Sequence, residues 1–125
     1  MGFWIFMALT VMLFPAIMIV FGRLFSRSAP KEINYAFGYR TSRSMKNMDT
    51  WKFAHEFLGK LWFILGFIMI PVNLIPLLLV IGSSENVIGT VGSVLCFVDL
   101  GAIIISIFPT ESALKKNFDK DGNKK

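Results

Sequence analysis

The chain has 125 residues, of which 54% are apolar, with a net charge of +5 and a single cysteine. A mean hydropathy of +0.62 is far above what one small soluble core needs, so the composition points to one membrane domain over residues 1–125. The lone Cys96 excludes an intramolecular disulfide or a multi-cysteine metal centre and leaves the redox compartment unread.

The first element is an uncharged apolar run that predicts a transmembrane helix over residues 3–22. At about 1.5 Å per residue it crosses a hydrocarbon core of about 30 Å. A cleaved signal peptide fits less well, because Met1–Gly2–Phe3–Trp4 lacks a basic start and the apolar stretch is too long. Gly2 raises N-myristoylation, but Phe6 stands where that motif takes Ser or Thr.

Residues 23–60 predict a motif loop and an interfacial helix. Ser44 or Asn47 can turn the chain and Asp49 or Thr50 can cap a helix, after which the residues repeat at helical spacing. Trp51, Ala54, Phe57, Leu58, Leu61 and Trp62 mark the expected apolar side of that helix. Lys52, His55, Glu56 and Lys60 mark the expected wet side, and the helix is expected to run on into the next span. His55 has no second histidine, so a headgroup-level histidine is the expectation, with no metal site and no cofactor.

A belt of Trp, Tyr, Lys and Arg is common where helices leave a membrane, and anchoring alone explains part of this composition. The stretch Phe37–Gly38–Tyr39–Arg40–Thr41 is harder to explain that way. Gly38 permits a turn that residues with a β-carbon resist. Such a turn can aim Arg40, and with it Arg43, at a phosphate or carboxylate, which the planar guanidinium suits.

The segment INYAFGYRTSRSMKNMDTWKFAHEFLGK, residues 33–60, resembles the signature of the SdpI family of small bacterial membrane proteins. Asn34, Gly38, Tyr39, Arg40, Thr41, Ser44, Met45, Asn47, Trp51, Ala54 and Gly59 fall where the family pattern has its fixed residues, whereas the spans are similar only as hydrophobic helices. The resemblance implies a bacterial plasma-membrane protein. For the member that gives the family its name, it implies protection against a secreted killing peptide and capture of a transcriptional repressor at the membrane. With three spans and no additional N-terminal membrane domain, this chain departs from that member, so membership is a firmer expectation than shared function. The candidate ligand- or partner-binding residues are Asn34, Gly38, Tyr39, Arg40, Thr41, Ser44, Asn47, Trp51 and His55.

A second span is predicted over residues 61–81, interrupted by Asn73, Pro71 and Pro76, and a third over residues 87–108, interrupted by Asp99. The fold class is therefore an all-α membrane protein: three transmembrane helices, with an interfacial cytoplasmic loop and helix between the first and second. Gly92, Cys96, Asp99 and Ser106 share a face of the third span, with Gly89 and Ser93 beside it, and this small polar stripe is expected to face the other spans or another copy. An intramembrane acid is a functional candidate by default. Counted inward from the outer ends, Asn73 and Asp99 differ in depth by about 6 Å, an offset that a bridging water could span.

Residues 109–125 predict a cytoplasmic tail, disordered at its charged end, after a short interfacial helix through Ala113, Leu114 and Phe118. Arg23, Arg27, Lys31, Arg40, Arg43, Lys46, Lys52 and Lys60 lie between the first two spans. The remaining Lys residues follow the third. By the positive-inside rule the N-terminus is outside and the C-terminus cytoplasmic.

No nucleophile, base and orienting group fall in a recognisable arrangement, and no enzyme is expected. The expected function is a toxin-immunity or sensor-type binding protein; the alternative is a small oligomeric transporter or lipid-handling protein using the intramembrane acid. The partners to consider are anionic lipid headgroups, a membrane-active peptide toxin, a cytoplasmic regulator and a second copy of the chain, and nucleic acid is not among them.

Overall fold

The computed structural model of the protein describes residues 1–28 and 38–125; Asn34 lies outside the described residues. The elements are α1 (Gly2–Arg27), α2 (Met48–Leu79), α3 (Glu85–Ile105) and α4 (Ile107–Asn117). Three helical stretches, α1, α2 and α3 taken with α4, are long and apolar enough to cross a membrane. Their outward surface is hydrocarbon-seeking, with Leu9, Val20, Phe67, Val94 and Phe97 among the exposed side chains, as lipid-facing helices require.

The helices α1 and α2 pack antiparallel and make the most extensive helix pair. Their approach depends on glycine. A β-carbon on Gly22 would lie 2.6 Å from the Phe63 backbone nitrogen, and one on Gly66 would lie 3.0 Å from the Pro15 carbonyl oxygen; one on Gly59 would collide with the Ser26 nitrogen. In a membrane, where burial gives helices little reason to associate, such backbone contact is what van der Waals packing can use. At the opposite end the Trp4 indole donates to the Leu77 carbonyl (2.7 Å), and Val11, Leu77 and Leu95 form a small core between α1, α2 and α3.

The loop-side helix and the second span are one unbroken helix. Asn47 is its N-cap: its side chain accepts from Thr50 N–H while Thr50 Oγ1 accepts from Asn47 N–H, satisfying two otherwise orphaned donors reciprocally. The third span breaks at Ser106, short of the predicted end at residue 108. Pro109 has no N–H to offer the Ile105 carbonyl four residues earlier, so the ladder is interrupted there.

The tail departs from the expectation of disorder. Phe118 is 4% exposed and packs with Leu114, Tyr39, Ala54 and Leu58. Beyond it the Asp119 carboxylate accepts from the amides of Asp121 and Asn123, Gly122 takes φ +85°, and Lys125 N–H returns to the Asn117 carbonyl. Low hydrophobicity conceals a tight turn anchored by one aromatic ring, since the aspartate and glycine that form it also read as disorder.

Candidate functional site

At the end of the molecule where α2 begins, the chain from Gly38 onward folds back over the first turns of α2. Gly38 has φ +107°, which only glycine adopts without strain. It delivers Tyr39 into the space beside His55: Tyr39 N–H donates to His55 Nε2 at 2.8 Å. The other ring nitrogen, Nδ1, lies 2.8 Å from the Trp51 carbonyl. An accepting Nε2 and a donating Nδ1 define the neutral tautomer protonated on Nδ1. Burial holds the His55 pKa below its ordinary value, against the raising effect of the Trp51 carbonyl.

His55 is therefore not on the wet side of its helix, as the sequence periodicity suggested. It is fully buried, in contact with Trp51 (ring centroids 4.3 Å apart) and Phe25 (4.9 Å, edge-on). A single-helix pattern cannot register a loop that returns to cover the polar face. Trp51 is likewise fully buried, so it builds the support of the site and does not present itself to a ligand.

Ser44, with no exposed surface, knots the turn. Its hydroxyl accepts from Thr41 N–H and lies within donating reach of the Tyr39 and Thr41 carbonyls, while its own carbonyl accepts from Thr50 Oγ1. The tail joins here, as Asn47 Nδ2 donates to the Gly122 carbonyl at 2.7 Å.

Glu111 on α4 closes the block from across the molecule. One of its carboxylate oxygens accepts from Tyr39 Oη (2.8 Å) and Thr41 Oγ1 (3.0 Å). Burial, and then this carboxylate, push the Tyr39 phenol above its ordinary pKa and keep it a donor. The sequence reading attached no role to Glu111, because nothing local to residues 109–112 signals a partner seventy residues away. The short helix expected around it does form, but its apolar residues Leu114 and Phe118 face Tyr39 and α2 and not the interface.

Of the predicted site residues, Tyr39, Thr41, Ser44, Asn47, Trp51 and His55 are held in this scaffold, and Gly38 and Arg40 lie with Tyr39 and Thr41 on one face of it. That face borders a cavity of about 450 Å³ between α1, α2 and the α3–α4 junction. Phe21, Phe25, Leu58, Trp62 and Ile103 form its apolar wall, and Gly38, Tyr39, Arg40 and Thr41 form its polar lip. Trp62 donates its indole N–H to Ser106 Oγ on the floor. The cavity therefore offers apolar surface within and hydrogen-bonding and cationic groups at its lip.

Asn73 and Asp99 lie apart from this chamber, deep between α2 and α3. They touch directly: Asn73 Nδ2 donates to Asp99 Oδ1 at 3.0 Å, with both residues fully buried. Residue counting allowed a bridging water between them, and the side chains instead meet directly. On the small-residue stripe, Gly92 packs against Met7 and Gly89 against Phe3, both on α1, while Ser93 is exposed.

The SdpI/YfhL protein family matches residues 31–110, which take in the motif block and the second and third spans and end one residue before Glu111. The chain is also 28% identical over 99 residues to the uncharacterized protein YfhL of Bacillus subtilis (strain 168), covering 79% of this chain and 80% of that protein. No solved structure matches. With most of its length matched, the chain belongs to the SdpI/YfhL protein family and is a multi-pass membrane protein.

Proposed function

We propose that this protein is a non-catalytic, immunity- or sensor-type binding protein of the bacterial cell membrane, working from its motif block. The supporting observation is the chamber beneath Gly38–Thr41: an apolar wall, a lip carrying Arg40 and Thr41, and a rigid scaffold holding the lip in place. Its ligand is an amphiphile, either a membrane-active peptide or a lipid. The Lys and Arg distribution supports a cytoplasmic block with the N-terminus outside.

The test is survival of a sensitive bacterium expressing the wild-type chain, Arg40→Ala or Ile103→Trp under challenge with membrane-active peptides, with membrane levels equalised by blot. Arg40→Ala removes the cation at the lip, and Ile103→Trp fills the chamber. Loss of protection in both supports the proposal. Protection that survives both substitutions refutes it.

A second reading, a small oligomeric transporter or lipid-handling protein, draws on the buried Asn73–Asp99 pair. Proton-coupled flux in liposomes that disappears with Asp99→Asn would favour it over the first.

A further inference from the structure

Between α2 and α3 the structure leaves two buried oxygens without partners, Asn73 Oδ1 and Asp99 Oδ2, on the two side chains already joined by the Asn73 Nδ2 to Asp99 Oδ1 bond. Both residues have no exposed surface. Orphaned buried acceptors are uncommon enough to demand a cause.

Among the described residues no cation supplies it. Between Met1 and Arg23, α1 carries no titratable side chain, and neither does α2 from Leu61 to its end. On α3 the titratable neighbour is Cys96, a neutral thiol nearly one turn away, while Glu85 stands at the far helix end. An ionised Asp99 would be a bare anion in the hydrocarbon with one neutral hydrogen bond, an arrangement that buried charges avoid.

One proton removes both deficits. Carried on Asp99 Oδ2, it turns an acceptor without a donor into a donor, and the amide oxygen of Asn73 is the acceptor that lacks one. A second bond, from a protonated Oδ2 to the Asn73 oxygen, would close the pair as an acid–amide ring with two hydrogen bonds. We propose that Asn73 and Asp99 form a proton-binding site in the middle of the membrane, occupied by one proton at neutral pH, which fastens α2 to α3. The proton comes from water and returns to it on release, leaving the carboxylate. This holds under either reading of the protein's function.

The sign of the pH dependence follows. A solvated aspartate loses its proton above about pH 4, whereas the packed pair retains it. Folding then binds a proton, and the folded-to-unfolded ratio declines by up to about tenfold per unit as pH rises. Asp99→Asn places a second amide there, which donates to the Asn73 oxygen with no proton to lose.

The experiment is infrared spectroscopy of the full chain in phosphatidylcholine–phosphatidylglycerol vesicles at neutral pH, comparing wild type, Asp99→Asn and Asn73→Leu. The expected result is a protonated-carboxyl C=O band in the wild type that is missing from Asp99→Asn and moved to higher frequency in Asn73→Leu, where the acid loses its amide donor. Thermal stability should fall with rising pH in wild type and not in Asp99→Asn. If Asp99→Asn fails to insert, the shift between wild type and Asn73→Leu carries the same information. Absence of the band from the wild type overturns the proposal, as does a band that neither substitution alters.

Discussion

Replacing His55 by alanine removes the acceptor for Tyr39 N–H and empties the space between Phe25 and Trp51. The two hydrogen bonds of the ring are not equivalent. The Trp51 carbonyl also faces the amide four residues on in α2, so it keeps a partner, whereas the buried Tyr39 N–H is left with none. An orphaned buried amide costs about 1–3 kcal/mol, and with the lost packing the total reaches about 3–5 kcal/mol, within the range of large-to-small core changes. That is a large part of the stability of a typical domain. Hydrogen exchange at the Tyr39 amide isolates the first part: 1–3 kcal/mol corresponds to roughly 5- to 140-fold faster exchange. His55→Gln, whose side-chain oxygen can accept from Tyr39 N–H, should recover part of the protection. Acid should act in the same direction as the alanine substitution. The His55 pKa is depressed in the folded state, so its contribution is complete above the ordinary value of about 6.5 and is lost as pH falls below it toward the folded value, where Nε2 takes a proton and faces the Tyr39 amide as a second donor. Exchange at Tyr39 that stays unchanged both in His55→Ala and on acidification to about pH 5, after correction for intrinsic rates, would refute the assignment of His55 as the peg of the block.

Gly22→Ala should lower the folded yield and thermal stability in detergent, because the new methyl group meets backbone atoms of Phe63 and Gly59 that have nowhere to move; a loss of about 1–3 kcal/mol is expected. Gly101→Ala is the control, since a β-carbon there has nothing within 4 Å, and it should be neutral or slightly stabilising by helix propensity. Equal behaviour of the two variants would remove the glycine crossing as the reason for the α1–α2 approach. Deletion of residues 119–125 strips the Asn47 side chain of its Gly122 partner and uncovers Phe118, so the N-terminal turn of α2 should become more accessible to protease, with a stability loss of about 1 kcal/mol; an unaltered cleavage pattern would return the tail to the status of a loose end.

What the sequence disclosed was whatever depends on segments: three long apolar runs become helices because lipid leaves their backbones no other partner, and a helix start near residues 47–50 was a local signal, although the cap expected at Asp49 or Thr50 is made by Asn47. Gly38 was legible as a turn for the same local reason. Pairings between distant segments were not. His55 reads as a surface residue on its own helix, and only the returning Tyr39 makes it a core residue. Glu111, among acids that follow the third span, carries no mark that separates it from a solvated one until Tyr39 and Thr41 are placed beside it. The Asn73–Asp99 contact was anticipated as a neighbourhood, since both polar groups had to avoid lipid, but its directness required the actual disposition of the two helices.

The clasp between Tyr39 and Glu111 joins residues separated by 72 positions, and the Leu114–Phe118 packing lies later still. During synthesis the first two helices can pair as soon as both have emerged, since their glycine crossing needs nothing downstream. The motif block cannot be latched until α4 has left the ribosome, after the three long helices have been made. The lip thus matures after the helices beneath it, and a translation product that stops before Glu111 would have paired helices beneath an unlatched lip.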